Sequence, residues 1–328
     1  MTSITPDTLP KETAVIQSAP LSPFVLGVRR FRKHRMAMFG LGLLVLLVLY
    51  ISFAGLAAHG YCAPIKQDLK GEAWSNCNDT SLKLQPPSAG HIFGTDVIGR
   101  DIFARTIYGG QISLLIGISA AIIEVILGAL VGSIAAYYGG WIDSMLMRFT
   151  EAMLNIPSLF LLIIGAHFFG NRLPSLNILG RELAGGVIVI ILIIGATSWM
   201  YLARIVRANV LSLRERDYIS AARALGASDG RIIFNHLLPN TIAPLIVSAT
   251  LGVANAILSE AYVSFLGLGV QGSTATWGNM LEGAYRYLET APWLWFFPGT
   301  LILLTVLGIN FLGDGLRDAL DPYSTKHL

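Results

Sequence analysis

Tyr218 to Pro239 reads YISAARALGASDGRIIFNHLLP, a polar, arginine-bearing island between two apolar stretches that are each long enough to cross a bilayer. Ala221, Ala222, Ala224 and Leu225 are strong helix formers, and Gly226 falls where a left-handed C-terminal stop belongs. Ser228 is placed to cap a second helical run, which Asp229 opens with favourable negative charge, and Pro239 marks the approach to the next apolar segment. The pattern predicts helix, turn, helix. Its two alanines leave a shallow surface for a partner, and so compact a knob moves as a rigid body with the segments that flank it.

Outward from this island the chain is apolar. Of its 328 residues 54% are hydrophobic and 13% charged, against roughly a quarter charged in an average soluble domain. This is the composition of a polytopic membrane protein. The net charge of +3 is a small difference between 23 basic and 20 acidic residues, and the basic ones are scattered among loops rather than interleaved with aromatics, so nucleic acid is not implied. No Gly-x-x-x-x-Gly-Lys-Ser/Thr stretch occurs, and Gly109-Gly110-Gln111, part of an ATPase-like signature, lies beside a span on the wrong side. With no nucleophile and base pair, no metal cluster and no cofactor loop, the chain is not expected to be an enzyme or to bind a cofactor or metal.

Six apolar stretches reach spanning length: Phe39 to Ala58, Ile112 to Tyr137, Met145 to Phe169, Gly185 to Ile205, Thr241 to Phe265 and Trp293 to Phe311. The expected fold is all-α, a six-helix membrane protein. Residues 1–38 form a tail with the basic anchor Arg29 to Arg35, 39–58 the first span, 59–111 an external loop with a short helix, and 112–328 a five-helix core carrying the loop 207–240 between spans four and five. Most lysines and arginines then fall on one side, which places both termini and the knob in the cytoplasm. A cleaved secretion signal is disfavoured, because the first apolar run is too long and its charged prefix too far inside the chain.

Individual residues carry further expectations. Cys62 and Cys77, the only cysteines, share the external loop; a disulfide there is worth about 3 kcal/mol in the loop-entropy picture, the alternative being two unrelated thiols. Thr95 is placed to cap a short helix in which Asp96 pairs with Arg100 and Asp101 with Arg105, four residues apart. Ala120, Glu124, Gly128, Gly132 and Ala136 recur every four residues, a small-residue face that admits a close helix and that Glu124 interrupts near mid-span. Glu124 is a candidate for the wall of a translocation path or for an interhelical carboxyl group. Glu151, three residues after Arg148, and Glu260, near the outer end of the fifth span, are the other path candidates, with a static contact the alternative for Glu260. Pro157 should bend the third span. Trp277, Trp293 and Trp295 suit an outer aromatic belt, and Arg317 can pair with Asp314 or Asp321.

Three blocks together resemble a known family. The order Ala221-Ala222, Gly226, His236 and Leu238-Pro239 resembles the EAA loop of binding-protein-dependent ABC importer permeases, with Ser220 standing where that family has its glutamate. His91 to Asp96 with Gly99-Arg100-Asp101, and Ser259-Glu260-Ala261 with Ser264 to Gly269, are similar to the peptide and nickel branch. The ending Asn310 to Pro322 resembles the second-type permease subunit of dipeptide, oligopeptide and nickel importers. The resemblance implies a bacterial inner-membrane location and a homologous permease partner in a heterodimer. It also implies two cytoplasmic ATPase subunits that bind ATP and Mg, and an external solute-binding protein. It makes Ser220, Ala221, Ala222, Arg223, Leu225, Gly226, Ala227, His236, Leu238 and Pro239 the ATPase-coupling residues. The implied solute is a di- or oligopeptide, with nickel complexes or oligosaccharides as alternatives. The residues alone also admit an ion-coupled secondary transporter using Glu124, or a membrane anchor that transports nothing.

Overall fold

The computed structural model describes residues 23–57, 59–62, 66–70, 72–169, 172, 174–178, 181–270 and 274–320. It is helical apart from two short antiparallel hairpins. In chain order the elements are α1 (Pro23–Lys33), α2 (Arg35–Ala57), β1 (His59–Cys62), β2 (Gln67–Lys70), α3 (Glu72–Ser75), α4 (Ile102–Tyr138), α5 (Gly140–Leu154), α6 (Ser158–Phe169), β3 (Leu176–Ile178), β4 (Arg181–Leu183), α7 (Gly185–Arg214), α8 (Asp217–Ala224), α9 (Asp229–Arg231), α10 (Ile242–Phe265) and α11 (Trp293–Leu320). Among the described residues five helices are long and apolar enough to cross a membrane, and the bent pair α5 and α6 supplies a sixth candidate.

The second span is longer than its apolar run. It starts at Ile102 rather than Ile112 because the Asp101 carboxylate accepts from the Ala104 amide at 2.8 Å, capping a helix that then buries Ile102, Ala104 and Arg105. It ends at Gly139, whose φ of +66° suits a residue without a side chain. The third span is not continuous: α5 and α6 meet at 80°. Asn155 closes α5 by donating from Nδ2 to the Glu151 carbonyl at 2.8 Å, and Pro157, which has no N–H to continue the ladder, restarts the chain in a new direction.

The small-residue face of α4 meets α7. A Cβ on Gly132 would stand 2.4 Å from the Ala203 carbonyl oxygen, and one on Gly128 2.8 Å from Leu202 Cγ. From the other side, a Cβ on Gly195 would lie 2.6 Å from Ile123 Cβ. The two backbones therefore approach as closely as the stripe predicts. Around this pair Ile112, Ile116, Leu162, Ile190, Ile194 and Ala256 bring α6 and α10 into one core, while Ile51, Ile257, Trp277 and Ile302 join α2 and α11 to α10 on the other side.

Helix α11 runs on to Leu320 and receives α1 and α2: a Cβ on Gly40 would meet the Gly308 carbonyl at 2.7 Å, and His34 Nε2 lies 3.4 Å from an Asp318 carboxylate oxygen. Asp318 thus serves the N-terminal helix, and Arg317 has no ion pair among the described residues; Asp321 lies outside them.

The segment before α4 departs from expectation. Residues 88–101 form turns rather than a Thr95-capped helix. The Thr95 hydroxyl instead donates to the Leu82 carbonyl and accepts from the Gln85 amide, stapling the loop to itself. Asp96 does pair with Arg100, at 2.6 Å, but Asp101 pairs with His91, at 2.7 Å, and not with Arg105. Burial pushes the Asp101 carboxyl above the ordinary range, and the Ala104 amide and His91 pull it back. Cys77 is disulfide-bonded, while the side chain of Cys62 lies outside the described residues.

Candidate functional site

The knob is built as its residues dictate. Helix α8 ends in a Schellman closure: the Gly226 amide donates to the Arg223 carbonyl at 3.0 Å and the Ala227 amide to the Ala222 carbonyl at 3.1 Å. Gly226 has the required left-handed φ of +81°. Ser228 then accepts from the Arg231 amide at 3.4 Å, as its capping role anticipates. The second run is not an ordinary α-helix. Ile232–Leu237 is π-helical and is followed by a tighter 3-10 turn at Leu238–Thr241. Pro239 has no amide to return to the carbonyl four residues back, and the ladder changes register at that missing bond.

The underside of the knob is its seat. Ile219, Ile232 and Leu237 are 0% exposed and pack with Ala136, Leu202, Val206 and Val210 of α4 and α7. Each such side chain contributes about 1.5–3 kcal/mol when fully buried. Polar ties surround that core. Tyr137 donates its hydroxyl to Asp229 at 2.7 Å, and the Arg223 guanidinium lies 5.8 Å from the centre of the Tyr137 ring. Arg214 donates to the Ala136 carbonyl at 2.6 Å, satisfying an acceptor at the C-terminal end of α4. Behind them Arg207 of α7 forks onto both oxygens of Asp143 of α5, each at 2.6 Å.

The opposite surface is open. Leu225 is 88% exposed, Phe234 56% and Tyr218 43%. Ser220, Ala221 and Arg223 lie on the same exposed helix, Pro239 is also exposed, and Ala222, Ala227, His236 and Leu238 are half-buried at the margin of the seat. Three large apolar side chains beside small ones make a surface suited to close packing against a partner. Of the loop 207–240, residues 207–214 belong to α7 itself. The knob therefore follows α7 after a two-residue turn at Glu215 and Arg216, and from Asp229 an unbroken helical path leads into α10.

The three acidic path candidates do not converge. Glu124 is half-buried at mid-span and reaches over α10, where its Oε2 would be 2.7 Å from a Cβ on Gly252; it has no hydrogen bond among the described residues. Glu151 sits at the knob end, 3.2 Å from Arg148, with both side chains mostly exposed. Glu260 is 0% exposed near the far end, accepting from Ser264 at 2.6 Å and Thr276 at 2.7 Å. Both bonds fall on Oε1 and pin residues 274–279 to α10, while Oε2 is buried without a hydrogen bond among the described residues. Trp277, expected in an interfacial belt, is 0% exposed, and its indole donates to the Thr106 carbonyl at 2.8 Å. Trp293 donates to the Thr95 carbonyl at 3.1 Å, and Trp295 remains exposed.

Tyr137 ties the knob to α4 through Asp229, and Arg214 and the Arg207–Asp143 pair tie α4, α5 and α7 together beside it, roles that sequence reasoning did not assign. Asp143 and Arg207 lie 64 positions apart, and no local spacing marks them as partners.

Comparison with known proteins gives the site its context. Residues 128–325 match the family described as binding-protein-dependent transport system inner membrane component, and residues 22–87 match the N-terminal TM domain of oligopeptide transport permease C. The chain is 41% identical over 306 residues to a dipeptide transport system permease protein, DppC, of Alkalihalophilus pseudofirmus, covering 93% of this chain and 92% of that protein. It is 38% identical over 311 residues to the oligopeptide transport system permease protein OppC of Bacillus subtilis, covering 95% and 93%. A putative peptide permease protein of Brucella suis is 42% identical over 310 residues, covering 93% and 94%. Among solved structures, an inward-facing form of the MetNI methionine ABC transporter aligns with a TM-score of 0.48 at 19% identity, over 65% of this chain and 94% of that one.

Proposed function

Because the chain belongs to the family of binding-protein-dependent transport system inner membrane components, we propose that it is the permease subunit of an ATP-driven importer of di- or oligopeptides. It forms half of the path beside a homologous permease and is driven by two cytoplasmic ATPases. The peptide assignment is supported by relatives aligned over nearly their whole length, whose names specify dipeptide, oligopeptide or peptide transport. The observation that carries the coupling is the knob itself, apolar and open on one face and buried against α4 and α7 on the other.

Its mechanism is mechanical. Closure of the ATPases displaces the knob, and the displacement passes into α10, with which it is helically continuous, and into α7, on which its buried face is packed. The tight α4–α7 crossing makes α4 follow, and the pair tilts as a unit. The path then alternates between inward and outward access, provided that nucleotide binding has different affinity for the two states. The knob end is cytoplasmic in this reading, supported by the excess of arginine at that end. The end carrying residues 59–101 then faces the binding protein. Ser220 removes one charge from the family's pattern, so the grip here is chiefly apolar.

Affinity purification of the tagged chain in mild detergent tests the reading. The ATPases and the second permease should come with the wild-type protein. Leu225→Asp should retain the permease, lose the ATPases and abolish peptide uptake; ATPases that stay bound to that variant would refute the knob as the point of grip. Glu124 supports a second reading, ion coupling at mid-span: uptake that survives ATP depletion but collapses with the ion gradient would favour it.

A further inference from the structure

Among the described residues Arg105 is a buried cation without an ion-pair partner. It is 3% exposed, its Nη1 is sealed from solvent without a hydrogen bond, and it has no ion pair among the described residues. Both nearby carboxylates are committed elsewhere. Asp96 accepts from Arg100 Nε at 2.6 Å and from the Arg100 and Ile98 amides, while Asp101 is taken by His91 and by the Ala104 amide. An unpaired buried charge is costly to keep, and a complementary charge brought from outside offsets that cost.

Arg105 lines a cavity of about 190 Å³ together with Arg286, Tyr287 and Glu282. One water needs about 10–15 Å³, so the space admits a group of several heavy atoms. Its inner wall is apolar, with Ile102, Ala284 and Leu294 all buried, which strengthens any charge interaction formed there. Arg286 is exposed, with Nε 3.2 Å from the Tyr285 hydroxyl, and adds a second positive charge to the lining. The Asn279 amide group is already occupied, donating to the Val270 and Thr274 carbonyls and accepting from the Thr276 amide.

We propose that this cavity is a carboxylate-binding site, with Arg105 as its recognition group. The planar guanidinium matches the two oxygens of a carboxylate in a forked geometry. On the lining Arg100, Arg105 and Arg286 stand against Asp96 and Glu282, a net charge of +1, which a singly charged carboxylate cancels and a doubly charged anion exceeds. The cavity lies at the end of the bundle opposite the knob. That this end faces outside rests on the importer reading; the site itself does not. The carboxylate comes either from a small free molecule or from an acidic side chain of the external binding protein.

The test uses the full complex, with its partner permease and ATPases, in nanodiscs of phosphatidylethanolamine and phosphatidylglycerol. Sodium acetate is titrated against sodium chloride and neutral acetamide while the thermal midpoint is followed. Acetate alone should raise the midpoint of the wild type, and Arg105→Gln should weaken that response by roughly tenfold or more. Arg105→Lys, which keeps the charge and loses the fork, should fall between them. If Arg105→Gln fails to assemble, the exposed Arg286→Gln should still reduce the response. Acetate that releases bound binding protein identifies a protein-borne carboxylate, and a raised midpoint without release identifies a free one. A wild-type response to acetate no different from chloride and acetamide overturns the site. Since acetate binding requires no transport, that result leaves the importer reading untouched, and failed peptide uptake with intact acetate binding does the reverse.

Discussion

Gly226 and Gly230 sit four residues apart in the knob, and a Cβ on either would meet nothing within 4 Å. They differ in backbone: Gly226 has φ +81°, whereas Gly230 lies in the short helix α9 with no positive φ. A side chain at Gly226 therefore clashes only with its own main chain, at a cost of about 1–2 kcal/mol for an L-residue held left-handed. Asparagine costs less and a β-branched residue more. Spent on the local closure, that energy multiplies the open fraction of the α8 C-terminus by about 5–30. The amides that close it belong to Gly226 and Ala227, so hydrogen exchange of those two amides in the assembled complex is the assay. Exchange should quicken in the order glycine, asparagine, alanine, valine at position 226, and Gly230→Ala should match the wild type. If only the closed knob engages the ATPases, their apparent affinity falls by the factor by which the closed fraction is reduced. Equal exchange for glycine, asparagine and alanine at 226 would refute the left-handed stop. Altered exchange with unchanged ATPase binding and uptake would refute its link to coupling.

Other features give predictions of known direction. Gly132→Ala places a methyl 2.4 Å from the Ala203 carbonyl oxygen and should lower the thermal midpoint through about 1–3 kcal/mol of overpacking, while Gly42→Ala, with nothing within 4 Å, should not. The Asp143–Arg207 fork is partly exposed, so a double-mutant cycle of Asp143→Asn and Arg207→Gln should return a coupling of about 1 kcal/mol in thermal or denaturant stability. The Asp101 carboxyl is raised on folding, so the native state holds its proton more tightly and stability falls as pH rises above the ordinary carboxylate range. Asp101→Asn keeps an N-cap and removes this proton, and the wild-type midpoint should drop relative to the variant as pH rises above the ordinary carboxylate range. Mass analysis after alkylation without reductant should find Cys62 and Cys77 linked, and two alkylated thiols would refute the bond.

What was legible in the sequence is what local chemistry decides. The left-handed stop at Gly226, the Ser228 cap, the break at Pro157 and the close face of Gly128 and Gly132 each depend on a few adjacent or evenly spaced residues, and each appears in the structure. The errors arise where a distant group competes for the same atom. Spacing by four offers Asp101 to Arg105, but Asp101 holds the α4 amides at its own position and His91 reaches it from ten residues upstream, so the cation is left alone. The start of α4 was missed for a related reason: apolarity falls before Gln111, whereas the helix is decided by one carboxylate at Asp101.

Trp277 shows how a long-range signal can be present and still be misread. An indole near a span boundary suits the interface, because water there satisfies its N–H. Burial becomes favourable only if a protein carbonyl does so instead and the bulky ring has somewhere to go. Thr106 supplies the carbonyl, and Gly109 and Gly110 supply the space: a Cβ on Gly110 would lie 2.6 Å from the Trp277 ring, and one on Gly109 3.2 Å from the Thr276 backbone. The Gly-Gly pair that resembles a fragment of an ATPase signature is thus a seat for a tryptophan more than 160 residues away. With Glu260 holding Thr276 from the opposite side, the seat locks the strap over residues 274–279 to both α4 and α10. The strap therefore holds these two helices together at the end away from the knob.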